Sequence, residues 1–226
     1  MIDLNRYEIK FILNDIQLTE VESWMSSSTS MLRTYEPRVV NSLYMDDIDF
    51  SSVKDNLSGI SHRKKYRLRW YGETPENFQP VFEVKGRNDR VGFKNSYPIS
   101  SLDGVIHDTS INQIIRKCYT ELLSQDCLID KHLIPSLEVQ YLRNYFQDQK
   151  HIRITIDKNI SFAMPTGFSK ILKSKKVKYP LKILEIKFAP DSKDQVIELI
   201  SSLHLRPKRH SKYLAGLASL GMAQYL

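Results

Sequence analysis

Five stretches of the chain alternate charged and apolar residues with a period of two, the spacing that sends successive side chains to opposite faces of a β-strand. In 62–71, HRKKYRLRWY, one face carries Arg63, Lys65, Arg67 and Arg69, and the other Lys64, Tyr66, Leu68 and Trp70. In 81–87, Glu83, Lys85 and Arg87 alternate with Phe82 and Val84. Arg6, Glu8 and Lys10 alternate with Tyr7, Ile9 and Phe11, and Glu185 and Lys187 with Leu184, Ile186 and Phe188. Arg153, Thr155 and Asp157 alternate with Ile152, Ile154 and Ile156. A half-solvated strand also alternates, but its wet face usually mixes Ser, Thr, Asn and Gln with its charges. Here the polar faces are mostly Arg, Lys and Glu, and the word Glu-x-Lys recurs at 8–10, 83–85 and 185–187. Cations crowded on a shared interior are costly to desolvate unless something anionic joins them. Arg supplies bidentate forks to phosphate oxygens and Lys a point charge. The Glu residues neutralise part of the wall or hold a divalent ion. The pattern therefore predicts a slim polyanion, such as a triphosphate, a polyphosphate chain or the 5′ triphosphate end of an RNA. A duplex nucleic acid is too wide for a small barrel, and the charged faces hold almost no aromatics on which bases would stack.

These residues need a sheet to position them. Strand patterns lie near 5–13, 39–46, 62–71, 79–87, 91–99, 136–147, 150–157 and 181–188, rich in Val, Ile, Tyr and Phe and bounded by Gly, Pro, Asn or Asp. Gln147-Asp148-Gln149 forms a corner that can join two of them as a hairpin. Helical patterns lie near 15–26, 110–125, 190–203 and 211–222. Ser110 or Thr109 is placed to cap the second and Ser211 the last, which Gly216 and Gly221 weaken. About eight strands and few helices predict an α+β protein: an antiparallel closed β-barrel with a charged interior and helices packed outside. With no linker or repeat in 226 residues, residues 1–226 read as a single domain.

The remaining composition excludes other classes. The net charge of +7 suggests an anionic partner without saying which kind. No apolar run approaches the roughly 20 residues that span a bilayer, and the start, MIDLNRYEIKF, lacks the apolar stretch of a secretory signal. Cys118 and Cys127 make neither a disulfide framework nor a zinc site, and Cys118 reads as a packed thiol. The expected localisation is cytoplasmic. The six histidines are scattered, without a convincing general base. Lys170, Lys173, Lys175, Lys176 and Lys178 read as a solvated loop, an electrostatic funnel, or a patch touching acidic lipid headgroups.

The ordered series RYEIK, KYRLRWYG, FEVKGR, GFKNSYPI, LEVQYLRNYF, RITID, ILEIKF and RHSKYLAGL resembles the VTC domain, named for the vacuolar transporter chaperone polyphosphate polymerases. That domain is grouped with the triphosphate tunnel metalloenzymes, which include thiamine triphosphatases and RNA triphosphatases. The resemblance implies a tunnel barrel, with catalytic contacts to phosphate at Lys10, Arg67, Arg69, Lys85, Arg143, Arg153 and Lys187. It implies further phosphate contacts at Lys94, Ser211 and Lys212, and Lys208 in RPKRHSKY at a tunnel mouth. Glu185 matches the metal-binding carboxylate, with Glu8 and Glu83 as further ligands for Mn²⁺ or Mg²⁺. The implied activity transfers the γ-phosphate of ATP to a growing inorganic polyphosphate or pyrophosphate acceptor. The alternatives are a metal-dependent triphosphatase or polyphosphatase, and a non-catalytic polyphosphate sensor. Hydrolytic relatives begin Glu-x-Glu-x-Lys, whereas this chain has Arg6-Tyr7-Glu8-Ile9-Lys10, which weakens a two-metal hydrolase. The eukaryotic polymerases add a phosphate-sensing module and a membrane segment. The resemblance therefore allows a separately encoded membrane protein as partner, holding this chain at a membrane.

Overall fold

Each alternating segment is a strand. The computed structural model describes residues 6–74, 78–88, 91–129, 131–171 and 173–222. Residue 5, where the first strand was expected to begin, lies outside them. The strands are β1 (Tyr7–Leu13), β2 (Leu32–Asp46), β3 (Arg63–Tyr71), β4 (Val81–Asn88), β5 (Val91–Pro98), β6 (Ile134–Gln147), β7 (Arg153–Ala163), β8 (Val177–Lys178) and β9 (Lys182–Phe188). The helices are α1 (Asp15–Ser28), α2 (Ser51–Leu57), α3 (Ile111–Ser124), α4 (Lys193–Ser201) and α5 (Lys212–Ser219). All ladders are antiparallel and run in the order β1-β9-β7-β6-β2-β3-β4-β5, with β8 attached to β7.

The expected closed barrel is corrected to a curled open sheet: β1 and β5 are its two edges, and among the described residues no ladder joins them. The lining of the concave face carries twelve lysines and arginines against two carboxylates, and drawing the two edges together would crowd that excess of like charge.

Three apolar clusters hold the sheet. The first places Leu68, Trp70, Phe82 and Val84 under Ile111, Ile114, Cys118 and Leu122 of α3. The second places Phe11, Ile154, Ile156 and Ile186 against Val21 and Trp24 of α1 and Val196 of α4. Asn14 and Ser110 start α1 and α3 with reciprocal capping boxes to Gln17 and Gln113. Burial pushes the Cys118 thiol up to about 12, which makes it an inert packing group.

The third cluster corrects the expectation that every helix packs outside. Tyr213 and Leu217 of α5 pack with Leu137 and Phe162. Leu137 stands opposite Tyr44, which stands opposite Arg67, so all three share the concave face. Helix α5 therefore covers one end of the inner surface. A Cβ at Gly216 would lie 2.5 Å from Leu137 Cδ2 and 2.8 Å from Phe162 Cδ1. That glycine is needed for close approach.

Other departures have local causes. β2 begins at Leu32, earlier than its alternation suggests, and its register shifts around Tyr35 and Arg38, where Pro37 interrupts the ladder. The unforeseen α2 is capped from outside its own sequence. Asp47 Oδ1 accepts from Ser51 N at 2.9 Å, and Asp46 accepts from Ser52 N at 3.0 Å and Val53 N at 3.3 Å. The 147–149 corner closes as a hairpin, with Asp148 Oδ1 accepting from Ile152 N at 2.8 Å. Among the described residues no helix is long and apolar enough to cross a membrane.

Candidate functional site

The concave face encloses a cavity of about 880 Å³. Its lining contains twelve lysines and arginines but only two carboxylates, Glu8 and Glu185. Adding Glu83 and Asp157, buried behind it, still leaves cations three to one in excess. Four carboxylates and their partners decide which cations are already neutralised.

The first arrangement explains two of the three Glu-x-Lys words. β1 and β9 run antiparallel with Glu8 opposite Lys187 and Lys10 opposite Glu185. Two identical words on facing strands therefore make a square of alternating charge. Lys187 Nζ lies 2.8 Å from Glu185 and 3.4 Å from Glu8, and Lys10 Nζ lies 3.6 Å from Glu185 and also pairs with Glu8. Burial pushes the Glu185 carboxyl up, but Lys187 and Lys10 outweigh it and hold the group well below the carboxylate range.

Asp157, fully buried, anchors the second arrangement. Arg143 donates to it through Nε at 2.6 Å and Nη2 at 2.8 Å, and Lys212 donates to Oδ2. This bidentate fork fixes Arg143 from below.

Glu83 anchors the third, 3% exposed. It accepts from Arg67 Nε, lies 3.9 Å from Arg69 and pairs with Lys94. Burial would raise this carboxyl, yet Arg67 and Arg69 hold it at about 2. The guanidiniums are steered further by phenols: Arg67 Nη1 donates to Tyr44 at 3.4 Å and Arg69 Nη2 to Tyr141 at 3.3 Å. Arg67 Nη2 and Arg69 Nε are buried with no hydrogen-bond partner.

Lys65 and Lys85 have no carboxylate within ion-pair distance among the described residues. Lys85 stands opposite Lys65 on one side and Lys94 on the other. Arg67 pushes the Lys85 ammonium well below its ordinary range, and burial lowers Lys65 to about 8. His210, which also lines the cavity, is brought down to about 4 by burial and by Lys212 and Lys10. It is neutral near pH 7.

Of the residues singled out from sequence, Lys10, Arg67, Arg69, Lys85, Lys94, Arg143, Lys187, Ser211, Lys212, Glu8 and Glu185 converge on the cavity. Arg153 does not; it sits opposite Gln147 at the hairpin end of β7. The Lys208 side chain is exposed and outside the lining, although its backbone N–H donates to Lys10 O at 2.8 Å. Glu83 lies behind the wall. Ser211 precedes α5 without making a side-chain cap, and Lys65 Nζ lies 3.5 Å from its hydroxyl. Sequence reasoning missed Lys65 as a site residue, though it falls on the charged face of 62–71, and missed the orienting roles of Tyr44, Tyr141 and Asp157. The last three depend on cross-strand register.

A divalent cation would need carboxylate oxygens that face the groove. Glu83 is saturated by three cationic partners and offers no room for a fourth. Among the described residues no three His, Cys, Asp or Glu side chains cluster as a metal cage. Glu8 and Glu185 remain as hard oxygen donors on the groove, each now paired with Lys10 and Lys187, so an ion held there would displace those ammonium groups.

Comparison with known proteins agrees with this geometry. The chain is 24% identical to vacuolar transporter chaperone complex subunit 2 of Saccharomyces cerevisiae over an alignment of 278 residues, covering 96% of this chain and 32% of that protein. It thus spans about a third of that curated relative. Its fold is shared with the PH1819 protein of Pyrococcus horikoshii OT3, at TM-score 0.52 and 13% identity over 95% of this chain and 99% of that one. It is also shared with HpAC1 of Hippeastrum, described as having a dominant triphosphatase activity, at TM-score 0.51 and 12% identity over 93% and 94% of the two chains. The VTC domain family model matches residues 5–221, and the chain belongs to that family.

Proposed function

We propose that the groove binds a linear chain of phosphate groups and that the protein transfers the γ-phosphate of ATP onto the end of growing inorganic polyphosphate. The observation that carries this reading is the row Lys65–Lys85–Lys94 beside two guanidiniums with unpartnered N–H groups. Only a ligand with many closely spaced anionic oxygens relieves all of them together.

In this reading Arg67, Arg69 and Lys85 hold the equatorial oxygens of the transferring group, while Arg143, Lys187 and Lys212 hold the acceptor chain. A terminal oxygen of that chain attacks the γ-phosphorus, the bond to the β-phosphate oxygen breaks, and ADP leaves with the electron pair. Phosphoryl transfer of this kind needs positioning and charge neutralisation more than covalent help. The acceptor oxygen is already ionised, so no general base is required. Glu185 and Glu8 would hold Mn²⁺ or Mg²⁺, which would supply further charge neutralisation to the phosphates. Arg153, Lys208 and Glu83 are assigned supporting roles outside direct contact. The partner is proposed to be a separately encoded membrane protein, since the yeast relative is a complex subunit.

The test is a product assay with ATP and each divalent metal, resolved by chain length. ADP together with long-chain polyphosphate, both lost in Lys85→Ala, is the expected result. Release of orthophosphate alone would replace the polymerase with a triphosphatase. Tripolyphosphate binding without turnover would replace it with a sensor.

A further inference from the structure

The segment between β7 and β9 contains a feature that the groove does not use. Thr166 to Ser169 form a tight turn, with Ser169 N and Oγ donating to Thr166 O at 2.9 and 2.8 Å. Phe168 sits at the tip of this turn with 95% of its surface exposed, the largest fraction among the large apolar side chains described. An aromatic ring at a turn tip contributes nothing to the core and exposes apolar area to water.

That exposure is held in place. Ser169 O accepts from Ile111 N and Gly167 O from Asn112 N, each at 3.0 Å, which pins the turn to the start of α3. Ile171, three residues on, is buried in the cluster beneath α3. The ring is therefore presented on a fixed support.

The segment's own charge has one sign: residues 164–180 contain five lysines and no Asp or Glu. Lys170 pairs with Asp108 at 2.9 Å and Lys176 donates to Gln140 at 2.6 Å. Lys173, Lys175 and Lys178 are exposed, and among the described residues none has an ion-pair partner. None of these lysines lines the groove, so they do not extend the site described above.

We propose that the Phe168 turn and the lysines following it dock the protein on an anionic lipid surface. A lysine patch alone suits any polyanion. The fixed ring selects among them, because a phosphate chain offers it nothing, whereas a bilayer offers hydrocarbon beneath an acidic headgroup layer. Met164, 40% exposed and four residues before Phe168, adds apolar area to the same segment. This inference is independent of the reaction proposed for the groove.

The experiment uses the full chain with vesicles of phosphatidylcholine, with and without phosphatidylserine. Cosedimentation is expected only with phosphatidylserine and should fall at raised salt. Phe168→Ser should lower the partition about tenfold, as expected for partly burying one ring. Lys175→Glu with Lys178→Glu should lower it by about fivefold or more per position. Phe168→Trp should show a blue-shifted emission on adding the acidic vesicles. Each variant should keep the melting temperature and tripolyphosphate affinity of the parent, since these side chains touch neither core nor groove. The proposal is overturned if acidic vesicles do not bind, or if Phe168→Ser binds them as the parent does. It is equally overturned if the double lysine variant loses affinity for polyphosphate or an oligonucleotide while acidic vesicles never compete.

Discussion

Lys65 and Lys85 stand directly opposite each other on adjacent antiparallel strands. Lys94 occupies the next position across. Like charges so placed are destabilising, and a sheet that retains them holds a standing demand for anions on that face. Ligand binding at this row must therefore be linked to protonation.

The first expectation follows from the depressed ammonium groups. Lys65 titrates near 8 in the folded chain and 10.5 ordinarily. Between those values the unfolded chain holds more protons, so the stability of the free protein should rise with pH from about 8 to 10.5. A bound phosphate chain favours the ammonium form. Tripolyphosphate binding near pH 8 should therefore take up protons and weaken as pH rises further. Calorimetry in two buffers of different ionisation enthalpy measures the uptake; an identical heat in both would contradict it.

Glu83→Gln removes the carboxylate shared by Arg67, Arg69 and Lys94. Leaving those cations unopposed should cost about 3 kcal/mol, and tripolyphosphate should restore more stability than it adds to the parent. With its carboxyl held at about 2, against 4.5 ordinarily, Glu83 contributes stability that is present above pH 4.5 and lost as pH falls towards 2. The variant should lack that part of the acid transition, as followed by denaturant titration at several pH values.

Arg6 lines the groove beside Glu8. Arg6→Glu places a second carboxylate there, strengthening divalent-ion binding and weakening the hold on phosphate when metal is absent. The ratio of orthophosphate to polyphosphate released from ATP should rise. An unchanged ratio at unchanged total turnover would show that this position does not choose between water and a phosphate acceptor.

Gly216→Ala sets two effects against each other. Alanine favours the helix by about 1 kcal/mol. The added carbon, however, meets Leu137 and Phe162, both fully buried. Overpacking of this kind costs about 1–3 kcal/mol, so the variant should melt lower than the parent. Because α5 begins with Lys212, which pairs with Asp157, tripolyphosphate affinity should fall as well.

The strands and their inward charges were legible because a period of two states which residues share a face. Lys10, Arg67, Lys85 and Lys187 could be placed together on that basis. Whether the sheet closed was not legible, because closure depends on the interaction between β1 and β5, and neither segment encodes it alone. The position of α5 on the inner face was hidden for a similar reason: Gly216 looks like a weak helix residue until Leu137 is seen against it. α2 escaped notice because Asp46 and Asp47, which cap it, stand several residues before its own pattern. Arg153 shares the right parity, but alternation gives the face of a side chain and not its depth along the groove.

The unpaired seam between β1 and β5 also bears on the polymer binding proposed for the groove. A sealed tube can be threaded only from a free terminus, so its usage scales with the number of chain ends. A trough open along one side accepts an internal stretch laid in sideways, making end count and polymer mass separable determinants of occupancy.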